Sequence, residues 1–294
     1  MPETLVHDTA PGLDLYRDGH RTRLKWHMGR RLRDDVPFTP ARMREAMALG
    51  ASFEVDLNLH AERGFAVLHD ETVDRETNGS GPLAQMSVAE IRRLNLRRDS
   101  GEVTADKVQL LDDLAAVARS GGMHPDTLIQ LDMKSRGSDI DADTVSAFAE
   151  TLTGVAQYFI VSGMDRDAIA RLGRATPGIA VGFDPCGYDT VSEVAAGMNL
   201  DAFVADAIAA LPEARLIYLD YQAVLAAADR GYDLIGAFHR EGRRIDAYTL
   251  DLEHPFAEDS LARLLGLKAD QITTNAPDSI AARAVELGLA SVTP

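Results

Sequence analysis

Six residues in this chain combine types and spacing that could do chemistry: His27, Glu54, Asp56, His69, Asp132 and Lys134. Each lies in or at the end of a short apolar or β-branched run. In Phe53-Glu54-Val55-Asp56 the acids alternate with apolar residues, so on a strand both carboxylates share one face, about 6.5 Å apart, while Phe53, Val55 and Leu57 take the other. Carboxylates held inside a fold need a cation or a dense set of donors, and an all-oxygen site suits Mg2+ or Ca2+. Zinc is disfavoured because no compact His/Cys ligand set is present. Asp132 and Lys134 repeat the spacing, which lets the acid complete a metal site while the ammonium meets an anionic oxygen. Imidazole is the side-chain type suited to proton transfer near neutral pH, which makes His27 and His69 candidates for a general base and a general acid.

Each piece alone has a plainer reading. Glu54 and Asp56 could be salt-bridged strand residues, Asp132 and Lys134 a strand-end ion pair, and either histidine a satisfied core residue. What separates the readings is that the groups fall at the ends of different strands. His7, His20, His60, His124, His239 and His254 lack such surroundings.

The elements that must position these groups alternate along the chain. Strands are expected near 23–28, 52–58, 66–69, 127–133, 158–162, 179–183, 215–219, 245–250 and 270–274. Helical periodicity marks 40–49, 110–119, 141–153, 165–174, 190–197, 222–228, 231–240, 258–266 and 277–287. Thr39 before Pro40 starts the first helix and Gly50 stops it. Alternating strands and helices over 294 residues fit a single α/β fold, a TIM (βα)8 barrel occupying 23–294. Residues 71–107, with Asn-Gly, Gly-Pro and a charged helical piece at 87–94, interrupt the alternation and read as a small insertion over the barrel mouth. Residues 1–22 read as an N-terminal arm.

Composition removes several classes of function. The net charge is −16 with scattered basic residues, which argues against nucleic acid as a partner. An anionic substrate is compatible with that charge only where a local cation meets it. Cys186 is the single cysteine, so no intrachain disulfide can form. The first 25 residues carry charges throughout and no apolar run suited to a secretory signal or membrane span, so the expectation is a cytoplasmic chain without stable membrane insertion. Oligomeric state is not legible.

The run Gly50-Ala51-Ser52-Phe53-Glu54-Val55-Asp56, followed by Val67-Leu68-His69-Asp70 with Arg75, Thr77, Asn78 and Gly79, resembles the glycerophosphodiester phosphodiesterase family. His27-Met28-Gly29, Leu131-Asp132-Met133-Lys134 and Ile272-Thr273-Thr274-Asn275-Ala276-Pro277-Asp278 follow the same order, and the likeness spans about residues 24 to 287. The resemblance implies a TIM-barrel hydrolase that cuts a small phosphodiester with one divalent cation and two histidines. Carried onto this chain, it makes Glu54, Asp56 and Asp132 the metal ligands, His27 and His69 the acid/base pair, and Lys134 and Tyr248 the phosphate- or substrate-binding groups.

The chain departs from the family pattern at several positions. Met28 stands where the family has Arg, and Arg30 or Arg31 is then the cation expected from that loop to bind substrate. Pro37-Phe38-Thr39-Pro40 replaces Pro-Glu-Asn-Thr, Asp132 replaces Glu, and Tyr248-Thr249-Leu250-Asp251 stands for Trp-Thr-Val-Asn. Met28, the Asp-x-Lys pair, Asp251 and the Thr-Asn-x-Pro-Asp run are similar to the sphingomyelinase D branch, whose cysteine-bearing loop is absent. Three functions follow for comparison: hydrolysis or cyclisation of a glycerol- or sugar-type phosphodiester, cleavage of a sphingomyelin-like or lysophospholipid diester, and non-catalytic binding of a phosphorylated ligand. Retention of both histidines and all three metal acids favours catalysis.

Overall fold

The computed structural model describes residues 12–294. Twelve strands are present among them: β1 (Asp14–Arg17), β2 (His20–Trp26), β3 (Ser52–Leu59), β4 (Phe65–Val67), β5 (Asn95–Arg97), β6 (Val103–Lys107), β7 (Leu128–Met133), β8 (Phe159–Ser162), β9 (Ala180–Phe183), β10 (Leu216–Asp220), β11 (Arg244–Tyr248) and β12 (Gln271–Thr274). Eight of them pair in parallel in the order β2-β3-β7-β8-β9-β10-β11-β12, and β12 pairs back with β2, which closes a TIM barrel. Closure leaves no parallel edge strand to be satisfied from outside.

Side-chain parity on these strands divides the core. Leu24, Phe53, Val55, Ile129, Leu131, Phe159, Val161, Ile217, Leu219, Ile245 and Ile272 are buried in the hydrophobic layer under the surrounding helices. Alternate positions turn inward, and there the chain is polar. Lys25, Gln130, Tyr218, Asp246 and Thr273 lie between the two ends of the barrel, all buried. The Lys25 ammonium is 2.9 Å from Asp246 and 4.5 Å from the Tyr218 ring centroid, and it also donates to Gln130. Thr273 donates to Asp246 at 2.6 Å. An ion pair, a cation–π contact and neutral hydrogen bonds thus replace the usual stacked aliphatic layers.

The segment expected as a strand over 66–69 is shorter and plays a different part. β4 pairs antiparallel with β3 as a hairpin and stands outside the eight barrel strands. Its consequence is to deliver His69 just past the hairpin's return strand. β5 and β6 form a two-stranded ribbon inside 71–107, and Arg98 of this segment donates to the Asp34 carbonyl in the loop after β2. A helix at Leu200–Ala210 is not among those the periodicity marks, because Leu, Phe, Val, Ile and Ala surround it and blur its polar face. Residues 1–11 of the expected N-terminal arm lie outside the described residues, and Asp14–Arg17 runs antiparallel beside β2. No described helix is long and apolar enough to cross a membrane.

Lys25→Met strands the Asp246 carboxylate, which is 0% exposed, beside an apolar side chain. The expected cost is about 3–5 kcal/mol in urea unfolding, much of it recovered by Lys25→Met combined with Asp246→Leu. A loss under about 1 kcal/mol for the single change would show that the pair does not anchor the interior.

Candidate active site

The strands' C-terminal ends assemble the groups singled out in the sequence. Glu54, Asp56 and Asp132 come together with one carboxylate oxygen from each within 4.8 Å of the others. Register explains this directly: Glu54 is paired with Gln130 and Asp56 with Asp132 on adjacent parallel strands. A cavity of about 200 Å3 opens above them, lined by His27, Glu54, Asp132, Lys134, Asp184 and Tyr248 together with the upper rim of the polar interior. Arg30 and His69 are not among the residues that line it.

The loop after β2 is bent to serve Glu54. Met28 adopts a left-handed conformation with φ 53°, followed by Gly29 at 66°. That turn aims the Met28 N–H at Glu54 Oε2, 2.8 Å away. A non-glycine residue in this region is strained, and here the strain provides a donor to a buried acid. Burial alone would push Glu54 up, but the charges of His27 in its protonated form, Lys134 and Lys25 and the Met28 N–H hold it down at about 2.

Hydrogen bonds fix each imidazole. His27 Nδ1 is 2.8 Å from Asn275 Oδ1, and the Asn275 amide nitrogen donates to Asp251 Oδ2 at 2.6 Å. The Asp251 contact assigns the amide, so Asn275 Oδ1 can only accept and His27 Nδ1 must carry the proton. Nε2 is left facing the acids, 3.9 Å from Glu54 Oε2. Asp251 also accepts from Thr274 Oγ1 at 3.0 Å and from the Asn275 N–H at 2.8 Å. These donors outweigh partial burial and hold its carboxyl below the usual range.

His69 is arranged in the same way from local partners. Its Nδ1 is 2.8 Å from Asp70 Oδ1, and Asp70 is bracketed by Arg75 at 2.6 and 2.7 Å. The Arg75 hydrogen bonds, with His69's, hold Asp70 down at about 2 despite partial burial. Asn58 Nδ2 donates to the carbonyls of Leu68, His69 and Asp70, while Glu76 accepts their neighbouring N–H groups, so the turn is clamped on both sides. The His69 side chain is 43% exposed at the rim.

Lys134 lies among the acids, 2.5 Å from Asp132 and 3.0 Å from Asp56. Arg30 is buried with its guanidinium 2.9 Å from Asp99 of the 71–107 segment. Arg31 is held by Asp278 at 2.9 Å and Glu45 at 2.5 Å. Tyr248 donates to Asp184 at 2.9 Å, and burial pushes Asp184 up to about 7. Asp184, Lys25, Thr249 and the orienting Asn275 were not assigned roles from sequence. Parity could have found Lys25, two residues before His27, and position could have found Asp184, the residue after β9.

Residues 38–279 match the model of the Glycerophosphoryl diester phosphodiesterase family. The chain belongs to that family. Over 65 residues it is 42% identical to a glycerophosphodiester phosphodiesterase of Caldanaerobacter subterraneus subsp. tengcongensis, a stretch covering 22% of this chain and 27% of that relative. Solved structures of family proteins share its fold at low identity. A glycerophosphoryl diester phosphodiesterase from Parabacteroides distasonis superimposes with a TM-score of 0.66 at 17% identity, covering 92% of this chain and 89% of the other. One from Thermotoga maritima gives 0.62 at 18%, covering 91% and 99%. A phosphodiesterase from Oleispira antarctica, solved with the product sn-glycerol-3-phosphate, gives 0.62 at 16%, covering 89% and 96%.

In this family member the acidic triad fits a divalent metal by its own chemistry. Asp56 is fully buried, and neither carboxylate oxygen makes a well-directed hydrogen bond to any described residue. Burial and the neighbouring Glu54 charge push it well above the usual carboxylate range, and Lys134 only partly offsets this. Three clustered carboxylates with one ammonium are short of positive charge, which a hard cation would supply.

A stability prediction follows for the metal-free protein. A carboxyl whose folded pKa lies above its ordinary 3.8 stabilises the fold fully below that value and progressively less as pH rises through the folded pKa. Asp56→Asn should therefore gain on the wild type as pH rises from about 4 to 8, by about 2–4 °C in Tm for each 1 kcal/mol relieved. A Tm difference that is flat or reversed over this range would contradict the charge shortage.

Proposed function

We propose that the protein hydrolyses a small phosphodiester bearing a hydroxyl next to the esterified oxygen, with a glycerol- or sugar-type alcohol retained on the phosphate. The observation that carries this reading is His27, with its proton on Nδ1 and Nε2 3.9 Å from Glu54, beside the cluster of three carboxylates and Lys134, with a second imidazole, His69, held by Asp70 at the rim. The Oleispira structure with sn-glycerol-3-phosphate supports a glycerol-type diester, since that product keeps the neighbouring hydroxyl.

His27 Nε2, lacking a proton in this tautomer, takes the proton of the attacking hydroxyl. The hydroxyl oxygen bonds to phosphorus as the bond to the leaving alcohol breaks, and protonated His69 gives its proton to that alkoxide. The products are a cyclic phosphate and a free alcohol. Water then opens the ring with the roles exchanged, His69 accepting the proton of water and His27 returning one to the ring oxygen. Attack by a group already tethered near phosphorus carries the entropic advantage of an intramolecular reaction. Lys134 faces the equatorial phosphate oxygens, and Tyr248 and Asp184 orient the retained alcohol. Glu54, Asp56 and Asp132 would hold one Mg2+ or Ca2+, which when bound neutralises charge building on the phosphate oxygens. Arg30 reaches substrate in this scheme only if Asp99 releases it.

Alanine at His27 or His69 is expected to lower kcat by on the order of 10² to 10⁴, and Asn275→Ala by a smaller factor with KM little changed, because it frees the imidazole rather than removing it. Exhaustive chelation should abolish turnover, and Mg2+ or Ca2+ should restore it. Product analysis on glycerophosphodiesters and their deoxy analogues tests the route: the analogues should fall in kcat beyond any change in KM. Equal turnover of parent and deoxy substrate would replace cyclisation with direct attack by water.

A further inference from the structure

The barrel's other end carries a second cavity, of about 540 Å3. It opens at the strand starts, where Arg23 of β2, Arg244 of β11 and Gln271 of β12 meet Arg215 and Arg243 from the adjoining turns. Leu128, Ile160 and Leu216 form an apolar wall. Four arginines face Asp270, the single acid of the lining, in a chain whose net charge is −16. Like charges gathered in one cavity repel, so the arrangement costs stability unless something anionic answers it.

Existing partners do not answer it. Asp270 Oδ2 is engaged by His239 at 2.7 Å and by the Ile245 N–H at 2.8 Å. Arg243 donates to the carbonyls of Ala214 and Pro212, and Arg23 Nη2 to that of Gly50 at 2.6 Å. Arg215 and Arg244 reach the cavity from exposed positions at its edge and have no ion pair or side-chain hydrogen bond to any described residue. Two buried atoms are also left over. Arg23 Nε has no partner, with Asp14 at 3.9 Å its nearest acid, and Gln271, 3% exposed, has an unpartnered Oε1 while its Nε2 donates to Ser52. Unsatisfied buried donors and acceptors beside unpaired guanidinium groups are what a polar anionic ligand would complete.

The cavity is separate from the catalytic one. Arg23 on β2 and His27 just past its end are four residues apart, about 13 Å at strand rise, and the Lys25–Asp246–Tyr218 layer fills the interior between them. A single small substrate cannot touch both ends. All four cations are arginine, whose planar fork matches a phosphoryl group, and the volume suits a small molecule rather than an ion alone.

We propose that this cavity is a second ligand site, for a small organic phosphate monoester. Its phosphoryl group is held by Arg215 and Arg244 over Arg23 Nε, its ester or hydroxyl oxygen meets Gln271, and its organic part lies on Leu128, Ile160 and Leu216. This does not depend on the reaction carried out at the other end.

The test is site-resolved arginine modification of the full chain by phenylglyoxal, read by peptide mass spectrometry, with inorganic phosphate or n-butyl phosphate against sodium chloride at matched ionic strength. Butyl phosphate should slow modification of Arg215 and Arg244 at least fivefold, act at lower concentration than inorganic phosphate, and leave Arg166 and Arg174, likewise exposed but outside the cavity, unaffected. In Arg215→Ala, protection of Arg244 should be lost while kcat is retained, since Arg215 touches no group of the catalytic cavity. Protection spread evenly over Arg215, Arg244, Arg166 and Arg174, or persisting at Arg244 in the variant, would overturn the site. Equal potency of the two phosphates would overturn the assignment of the apolar wall to an organic group.

Discussion

Inside this barrel the acids outnumber the cations that answer them. Glu54, Asp56, Asp132 and Asp246 project inward or toward the mouth, and Lys25 and Lys134 are the ammonium groups paired with them. Taking carboxylates out of water costs several kcal/mol each unless a charge or several donors replace the solvent. The lower half meets more of that demand internally, through Lys25 and Thr273 on Asp246, with Asp246 Oδ2 and the Tyr218 hydroxyl left without a well-directed hydrogen bond among the described residues. The upper half meets less, and the deficit collects on Asp56.

The distribution is not accidental to the strand geometry. Inward positions on a parallel barrel are two residues apart, so a single strand can serve both halves: Lys25 completes the interior and His27, two residues on, reaches the mouth. Catalytic barrels place chemistry at this end because loops of differing length can add groups without disturbing the layers below. Here the loops add orientation. Asp251 and Asn275 from the last two units hold His27, and Asp70, Arg75, Asn58 and Glu76 hold His69. Fixing both imidazoles in the Nδ1–H form is an entropic expense met at folding rather than at each turnover. An under-compensated Asp56 and a left-handed Met28 are stability given up for the same purpose.

Much of this was legible in the sequence. Alternation of short apolar runs located all eight barrel strands, and parity put Glu54 with Asp56 and Asp132 with Lys134 on shared faces. Three things were not legible, each for a physical reason. The segment around 66–69 has a strand's composition, but whether it joins the barrel or folds back as a hairpin depends on the partner it finds. The helix at Leu200–Ala210 is apolar on too many sides to show a period. The His27–Asn275 contact links residues 248 positions apart, and only barrel closure between β12 and β2 brings them together. Arg30 shows the reverse case, a residue whose type suggested anion binding and whose position gives it to Asp99.

In the proposed function the mouth of the barrel is completed by a cation held at the Glu54, Asp56 and Asp132 cluster. The most direct measurement is calorimetric titration of the metal-free protein with Mg2+ and Ca2+, alongside Asp56→Asn. One ion should bind per chain, and the variant should bind at least tenfold more weakly, a difference of about 1.4 kcal/mol. No binding by the wild type, or equal binding by the variant, would contradict the charge deficit on which the account rests.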